Sequence, residues 1–277
     1  MRLAISNIAW DVSEDEQISQ LLNQYGINAI DIAPGKYFPA PATASNENIA
    51  RVKAWWGERG IEITGMQALL FGTTGLNIFG PVHIQNVMLK HFEALCRIAA
   101  GLGATRLVFG SPKNRDRSGI SDHQALDIAV SFFRQLGELA QSYGVVICLE
   151  PNPLRYGANF MTTSSETALV VKHVGHSAIR MQLDTGALMI NEEKVEDVLA
   201  NNAELIAHIH ASEPDLLPLG NSTVDHSRVY TALQAYLPDH LVCIEMLATD
   251  NEPHLLSIER ALKIAKENYQ AVAGVNS

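Results

Sequence analysis

The stretch IRMQLDTGALMINEEKVEDVLANNAELIAHIHASE, residues 179–213, holds one strand, helix and strand unit. Residues 179–184 form a short apolar run that ends in an aspartate, and 195–201 repeat apolar side chains at helical spacing. Residues 206–211 form a second apolar run with histidines at alternate positions. Two strands joined through a helix run parallel, because a tight hairpin cannot connect them.

The same alternation extends to both ends of the chain. Strands are expected at 3–9, 29–33, 61–68, 105–110, 145–151, 179–184, 206–211 and 241–247. Helical periodicity marks 14–25, 46–59, 88–102, 122–143, 165–173, 195–201, 225–236 and 254–269. Eight such units in 277 residues match the arithmetic of an α/β fold closed into a (β/α)8 TIM barrel. The competing open, doubly wound sheet calls for a glycine-rich phosphate turn after an early strand, and SNIAWDVSED contains no G-x-G-x-x-G. With no linker, low-complexity tract or charge block between units, residues 1–277 read as a single barrel domain.

Composition narrows the function classes. A hydrophobic content of 47% supplies a large core and excludes a disordered chain. A net charge of -10 repels nucleic acid backbones and anionic membranes, so neither is an expected partner. Residues 63–89 carry no charge, but Gly65, Gly72, Gly75, Gly80 and Pro81 interrupt them too often for a membrane span. No apolar leader precedes Asp11 and the acidic group Glu14, Asp15 and Glu16, so no secretion signal is read. Cys96, Cys148 and Cys243 are odd in number and lack a CxxC pair. They are expected as buried free thiols in a reducing cytoplasm.

In a closed barrel the chemistry sits where strands end at the C-terminal face. The last four strands end in polar groups: Glu150 in VVICLEPNP, Asp184 in IRMQLDTG, His210 in IAHIHASE and Glu245 in LVCIEML. Their separations, 184 - 150 = 34, 210 - 184 = 26 and 245 - 210 = 35, each approximate one βα unit, so each occupies the equivalent place on its own strand. Two residues earlier, Cys148, Gln182, His208 and Cys243 should point the same way, one layer deeper. Singly, each has an ordinary explanation: the glutamates can pair with a barrel cation, Asp184 can cap a loop, and His210 can be a core histidine. Together, three converging carboxylates would repel one another unless a cation held them. An oxygen-rich set with one imidazole suits a single divalent ion, Mn2+, Mg2+, Co2+ or Zn2+.

With LEPNP around Glu150, LDTG around Asp184, HIHASE around His210 and CIEM around Glu245, and more weakly GMQALLFG and FGSP, the chain resembles the xylose isomerase-like TIM-barrel superfamily. Within it the similarity is to the sugar isomerase and epimerase group that includes D-tagatose 3-epimerase. The resemblance implies a divalent metal held by Glu150, Asp184, His210 and Glu245, completed by the carbonyl and adjacent hydroxyl of a ketose. It also implies proton removal beside the carbonyl through an enediolate, with Glu150 and Glu245 as the catalytic pair on opposite faces of the sugar. Substrate configuration decides which of them is the base. A homo-oligomer is implied as well, since relatives are often dimers or tetramers. Two positions depart from the epimerase pattern. Ala187 stands where a substrate-binding histidine commonly follows the aspartate, and Leu216 and Leu217 stand where a basic residue is often found. A different sugar or polyol, dehydration in place of epimerisation, or a slower reaction would follow from their loss.

Further substrate contacts are expected from Gln67, Ser111, Asn152 and Glu213, with Asn114 beside Ser111, since each can hydrogen-bond a hydroxyl. Lys113, Arg115 and Arg117 read as a solvated cluster balanced by Asp116 and Asp122. Trp55 and Trp56 read as cover for the barrel exterior or an oligomer contact. Two other classes remain open. A non-catalytic sugar-binding barrel would keep the site without turnover. A DNA-repair nuclease of the same superfamily would need three metals and many more ligands than His210 and His208 provide.

Overall fold

A computed structural model of the chain describes residues 1–270; the last seven residues of the expected domain lie outside the described residues. Eight strands close into a barrel in chain order: β1 (Leu3–Ser6), β2 (Ala29–Ile32), β3 (Glu62–Met66), β4 (Arg106–Phe109), β5 (Val146–Leu149), β6 (Ile179–Asp184), β7 (Ile206–Ser212) and β8 (Val242–Glu245). Every neighbouring pair is parallel, including β1 with β8, which completes the closure. The helices are α1 (Asp15–Gln24), α2 (Asn46–Gly57), α3 (Val82–Leu102), α4 (Asp122–Ser142), α5 (Ser164–Val174), α6 (Thr185–Ile190), α7 (Val195–Asn202), α8 (His226–Tyr236) and α9 (His254–Tyr269).

Local sequence sets the helix ends. Ser121 accepts from the Gln124 amide while the Gln124 side chain reaches back to the Ser121 amide, so α4 begins in a reciprocal cap. Ser45 and Thr163 cap α2 and α5 through the same kind of oxygen. Helix α3 stops at Gly103, whose φ of 90° needs a residue without a side chain. No described helix is long and apolar enough to cross a membrane.

Most strands are shorter than the apolar runs that announced them, because their last residues turn into the loops of the C-terminal rim. After β1 the chain enters a 3-10 turn at Asn7–Ala9. After β8, Leu247 donates to the Leu216 carbonyl and Ala248 to the Ile8 carbonyl, so these residues join neighbouring loops and not the sheet. Helix α6 was not expected at all. It starts directly at the end of β6 because the Asp184 side chain accepts from the Ala187 amide and caps it.

Between sheet and helices, aromatic contacts tie α3, β4 and α4 together. Phe109 stacks on Phe92 at 5.7 Å and meets the edge of Phe133 at 5.3 Å, and all three are fully buried. Cys96, Cys148 and Cys243 are buried free thiols. Trp56 is buried against Trp10 and donates to the Tyr37 hydroxyl, so it belongs to the core, whereas Trp55 lies under the Arg59 guanidinium. Phe109→Ala should destabilise the chain by about 3–5 kcal/mol, the usual cost of emptying a buried phenylalanine site. Urea unfolding measures this, and a midpoint equal to wild type would show that this aromatic layer is not load-sharing.

Candidate metal centre

The C-terminal face of the barrel collects Glu150, Asp184, His210 and Glu245. One ligand atom from each lies within 4.8 Å of the others. Glu150 sits one residue beyond β5 and extends its ladder by donating its amide N–H to the Phe109 carbonyl. Asp184 and His210 are direct partners across β6 and β7, while Glu245 on β8 lies opposite Ser212. The two-residue offset is the stagger that a closed, tilted barrel imposes. His210 Nδ1 lies 3.1 Å from Glu245 Oε2 and 3.5 Å from Glu150 Oε1, so both glutamates converge on this one nitrogen.

Each carboxylate of the cluster is braced from outside it. Gln67, one residue beyond β3, donates through Nε2 to Glu245 Oε1 at 2.5 Å. Asn152 Nδ2 donates to Glu150 Oε2 at 3.2 Å. Ser212 Oγ donates to Asp184 Oδ2 at 2.6 Å, and the α6 amide at Ala187 donates to Oδ1 at 2.6 Å. Gly110 leaves the space that Glu150 fills, because a Cβ there would collide with Oε2.

Burial makes the charges interact strongly. Asp184 is pushed up to about 7, first by loss of water and then by repulsion from Glu245 and Glu150. Burial also opposes charge on His210, but attraction to Glu245 and Glu150 outweighs it and raises its pKa well above the ordinary value. Glu245 feels the same desolvation, yet His210 and the Gln67 hydrogen bond hold it below the usual carboxylate range. Three carboxylates and one imidazole are therefore mutually strained in the absence of a cation. Glu150 Oε1 and His210 Nδ1 are buried with no well-aligned hydrogen bond. Once Asp184 and His210 give up their protons, such a donor set fits a divalent ion.

The other expected contacts fall into two groups. Gln67 and Asn152 touch the glutamates directly. Ser111 instead donates to Asn114 Oδ1, and Asn114 Nδ2 holds the Leu76 carbonyl, so this pair anchors the loop after β3. The Glu213 carboxylate is taken up by the Gly220 amide, the Ser222 hydroxyl and His226, which fixes the loop after β7. Ala187 is buried in α6 and Leu216 is half-buried after β7, so apolar side chains stand at both departures from the epimerase pattern.

The basic cluster needs correction. Arg117 pairs with Asp122 at the surface as expected, and Lys113 reaches the Thr73 carbonyl. Arg115, however, is fully buried and donates through Nη1 to the Glu150 carbonyl at 2.7 Å. The 3-10 turn at Pro112–Arg115 turns it inward, where it meets an acceptor behind a site crowded with negative charge. Burial lowers its pKa to about 10, against the pull of Glu150 and Glu166, so it stays a cation at neutral pH.

Below the four groups, Cys148, Gln182, His208 and Cys243 are all buried. The layer is not inert packing, because His208 Nε2 lies 2.7 Å from Oδ2 of Asp31, a residue of β2 with no exposure. Asp31 was missed in the sequence, although a lone acid inside the apolar run AIDIA is a signal, since unpaired acids are almost never fully buried. Ser212 was equally legible, two residues beyond His210 on the same face.

With this geometry described, comparison with known proteins adds the following. Residues 19–268 match the family described as Xylose isomerase-like TIM barrel. The chain is 26% identical to the D-psicose 3-epimerase of Enterocloster bolteae over 106 residues, a segment covering 38% of this chain and about a third of that protein, 35%. Its fold is similar to a D-psicose 3-epimerase from Clostridium cellulolyticum H10 solved with D-tagatose, with TM-score 0.81 and 19% identity over 97% of this chain and 99% of that one. It is also similar to the 3-keto-D-glucoside 4-epimerase of E. coli, with TM-score 0.79 and 19% identity over 96% and 99% of the two chains. At such identities the structural likeness speaks for the fold.

The electrostatics set a sign for pH dependence. The folded metal-free chain keeps the Asp184 proton to about pH 7, while the unfolded chain releases it near 3.8. Between those values the folded state binds more protons, so this group's contribution to stability falls as pH rises. The raised pKa of His210 acts in the same direction, its contribution being lost as pH rises above 6.5. A divalent ion needs both groups deprotonated. The rise in Tm produced by millimolar Mn2+ should therefore be larger at about pH 8 than at about pH 6. Scanning calorimetry with and without the ion checks this, and a shift that shrinks with pH would contradict the assignment.

Proposed function

Because the chain belongs to the xylose isomerase-like TIM-barrel family, we propose that it is a metal-dependent sugar isomerase or epimerase acting beside a ketose carbonyl. The observation that carries this reading is the convergence of Glu150 and Glu245, from β5 and β8 with two strands between them, on His210 Nδ1 with Asp184 alongside. A substrate held at that point would meet carboxylates from two different strands, and the family resemblance assigns them to its opposite faces. The named epimerase relatives support a sugar as the substrate class.

A divalent ion bound by Glu150, Asp184, His210 and Glu245 would polarise the carbonyl and stabilise negative charge developing on the enediolate oxygens. The residues of the chain do the rest. One glutamate takes the proton from the carbon beside the carbonyl, and the other, carrying a proton, returns it to the opposite face. Two glutamates suffice because the proton gained by one equals the proton lost by the other. Gln67 and Asn152 fix the carboxylate oxygens that they touch and are the contacts assigned to substrate hydroxyls. The buried Arg115 steadies the backbone at Glu150, where a shift of the carboxylate would spoil its approach.

A second reading rests on the apolar side chains Ala187 and Leu216, which hold fewer hydroxyls than the usual clamp. They favour a sugar or polyol derivative that loses water after the same proton abstraction. Product analysis separates the two, since only dehydration yields an unsaturated or diketo product.

Glu150→Gln and Glu245→Gln should each lower turnover by about 10²–10⁴-fold, the range for loss of a positioned acid or base, without altering far-UV circular dichroism. Deuterium incorporation from D2O is the direct measurement. A ketose panel incubated with the Mn2+, Mg2+, Co2+ and Zn2+ forms should reveal at least one substrate that gains deuterium next to its carbonyl. Absence of exchange across the panel would remove the proton-transfer reading.

A further inference from the structure

The barrel has a second charged end. Alternate residues along a strand share a face, so counting back by twos from the metal cluster places Asp184, Gln182 and Arg180 on the inner face of β6, and Gly110, Val108 and Arg106 on that of β4. Both arginines therefore stand at the N-terminal floor of the barrel, one layer below His208. Arg106 reaches from β4 to β7, donating through Nε to the Ala207 carbonyl at 3.0 Å, and through Nη1 to the Thr105 carbonyl at 3.3 Å. Arg180 donates through Nη2 to the Glu204 carbonyl, in the turn before β7.

These bonds hold the guanidiniums without neutralising them. Six arginines elsewhere pair with a carboxylate, whereas among the described residues no carboxylate oxygen comes within 4.0 Å of a nitrogen of Arg106 or Arg180. Arg106 Nη2 and Arg180 Nε and Nη1 likewise find no acceptor among the described residues. The chain carries 30 acidic and 20 basic residues, so two cations left without a counter-charge in one place run against its overall balance.

Both arginines line one cavity of about 610 Å³. Small-molecule sites are typically of roughly 300–1,000 Å³. Val146 and Ile206, at the starts of β5 and β7, and Tyr236 and Leu237, at the end of α8, give it apolar walls. His240 also lines it; burial, with the Arg106 charge beside it, holds this imidazole below its ordinary pKa, so it is an uncharged hydrogen-bonding group at neutral pH. Two acids lie nearby, Glu204 on the rim and Asp239 next to His240 in sequence, and both are exposed, where water and salt screen them. Half-buried guanidiniums with spare N–H groups match the paired oxygens of a phosphate or carboxylate.

We propose that this cavity is a second binding site, at the opposite end of the barrel from the metal centre, for a small molecule bearing an oxyanion, either a phosphate ester or a carboxylate. The oxyanion is held by Arg106 and Arg180, and the remainder of the ligand lies against Tyr236 and Leu237. The site is independent of the metal reading given above.

Isothermal titration calorimetry of the full chain with methyl phosphate and with acetate, at an ionic strength held constant with sodium chloride, tests it. One saturable site is expected. Arg180→Gln should weaken binding by about ten- to a hundredfold, the span for losing hydrogen bonds to a charged group, and Arg180→Lys should fall between. Tighter binding of methyl phosphate identifies a phosphate ester as the ligand class, tighter binding of acetate a carboxylate, and either sustains the site. Absence of saturable binding, or equal affinity in wild type and Arg180→Gln, would overturn the proposal and leave the arginines as a plug of the barrel floor. Glu245→Gln should bind as wild type does, and loss of binding in that variant would overturn the proposal by moving the anion to the metal centre. If Arg180→Gln does not fold, amide shifts of the wild-type chain decide. Methyl phosphate should move the signals of residues 203–207 and 237–240, and shifts confined to Glu150, Asp184, His210 and Glu245 would refute the assignment.

Discussion

Mutual repulsion among Glu150, Asp184 and Glu245, gathered with His210 inside 4.8 Å, is the constraint around which the C-terminal face is organised. In water such a group would be of small consequence. In a barrel mouth where His210 has no exposure, each charge must be neutralised, hydrogen-bonded or shared with a cation. Unless a cation is bound, burial and repulsion favour a proton on Asp184 and attraction to the glutamates favours one on His210, and Gln67, Asn152, Ser212 and the start of α6 donate to the carboxylates. A cation would relieve the repulsion, which is why the arrangement reads as a binding site and not as a set of salt bridges.

The barrel is suited to this because each strand end bears only one of the strained groups. Four consecutive strands contribute, and the ordinary ladder of the sheet holds each backbone in place. Asp184 illustrates the economy of the design: the oxygen that caps α6 and the oxygen that accepts from Ser212 belong to a carboxylate that also faces the centre. The helix and the site are therefore coupled through one side chain. A change that loosened α6 would alter the charge state of the cluster, and the reverse holds as well.

All eight strands were legible in the sequence because short apolar runs alternate with helical periods, and this periodicity depends only on which face each element buries. The four polar strand ends were legible for a related reason, since polar groups recurring at the end of four successive buried runs have no joint packing explanation, although each alone has one. What escaped were features set by tertiary proximity. Arg115 looked like a member of a surface cluster because its neighbours Lys113, Asp116 and Arg117 are polar, and only the turn at Pro112 decides that it points inward. Glu213 looked free, yet a glycine amide, a serine and a histidine up to thirteen positions away consume its carboxylate. Helix α6 was hidden because DTGALMI is too short for a periodic signal, and its existence depends on the cap.

The loops of the rim are fastened to one another by backbone and side-chain contacts. The Asp215 amide donates to the Tyr156 hydroxyl, Leu247 to the Leu216 carbonyl and Ala248 to the Ile8 carbonyl, and Arg155 pairs with Asp215. Segments following β5, β7, β8 and β1 thus form a stitched collar around half the mouth. In a chimaera with another barrel, transplanting any one of these segments alone would cut its seams, so the heritable unit of specificity here is the collar as a whole.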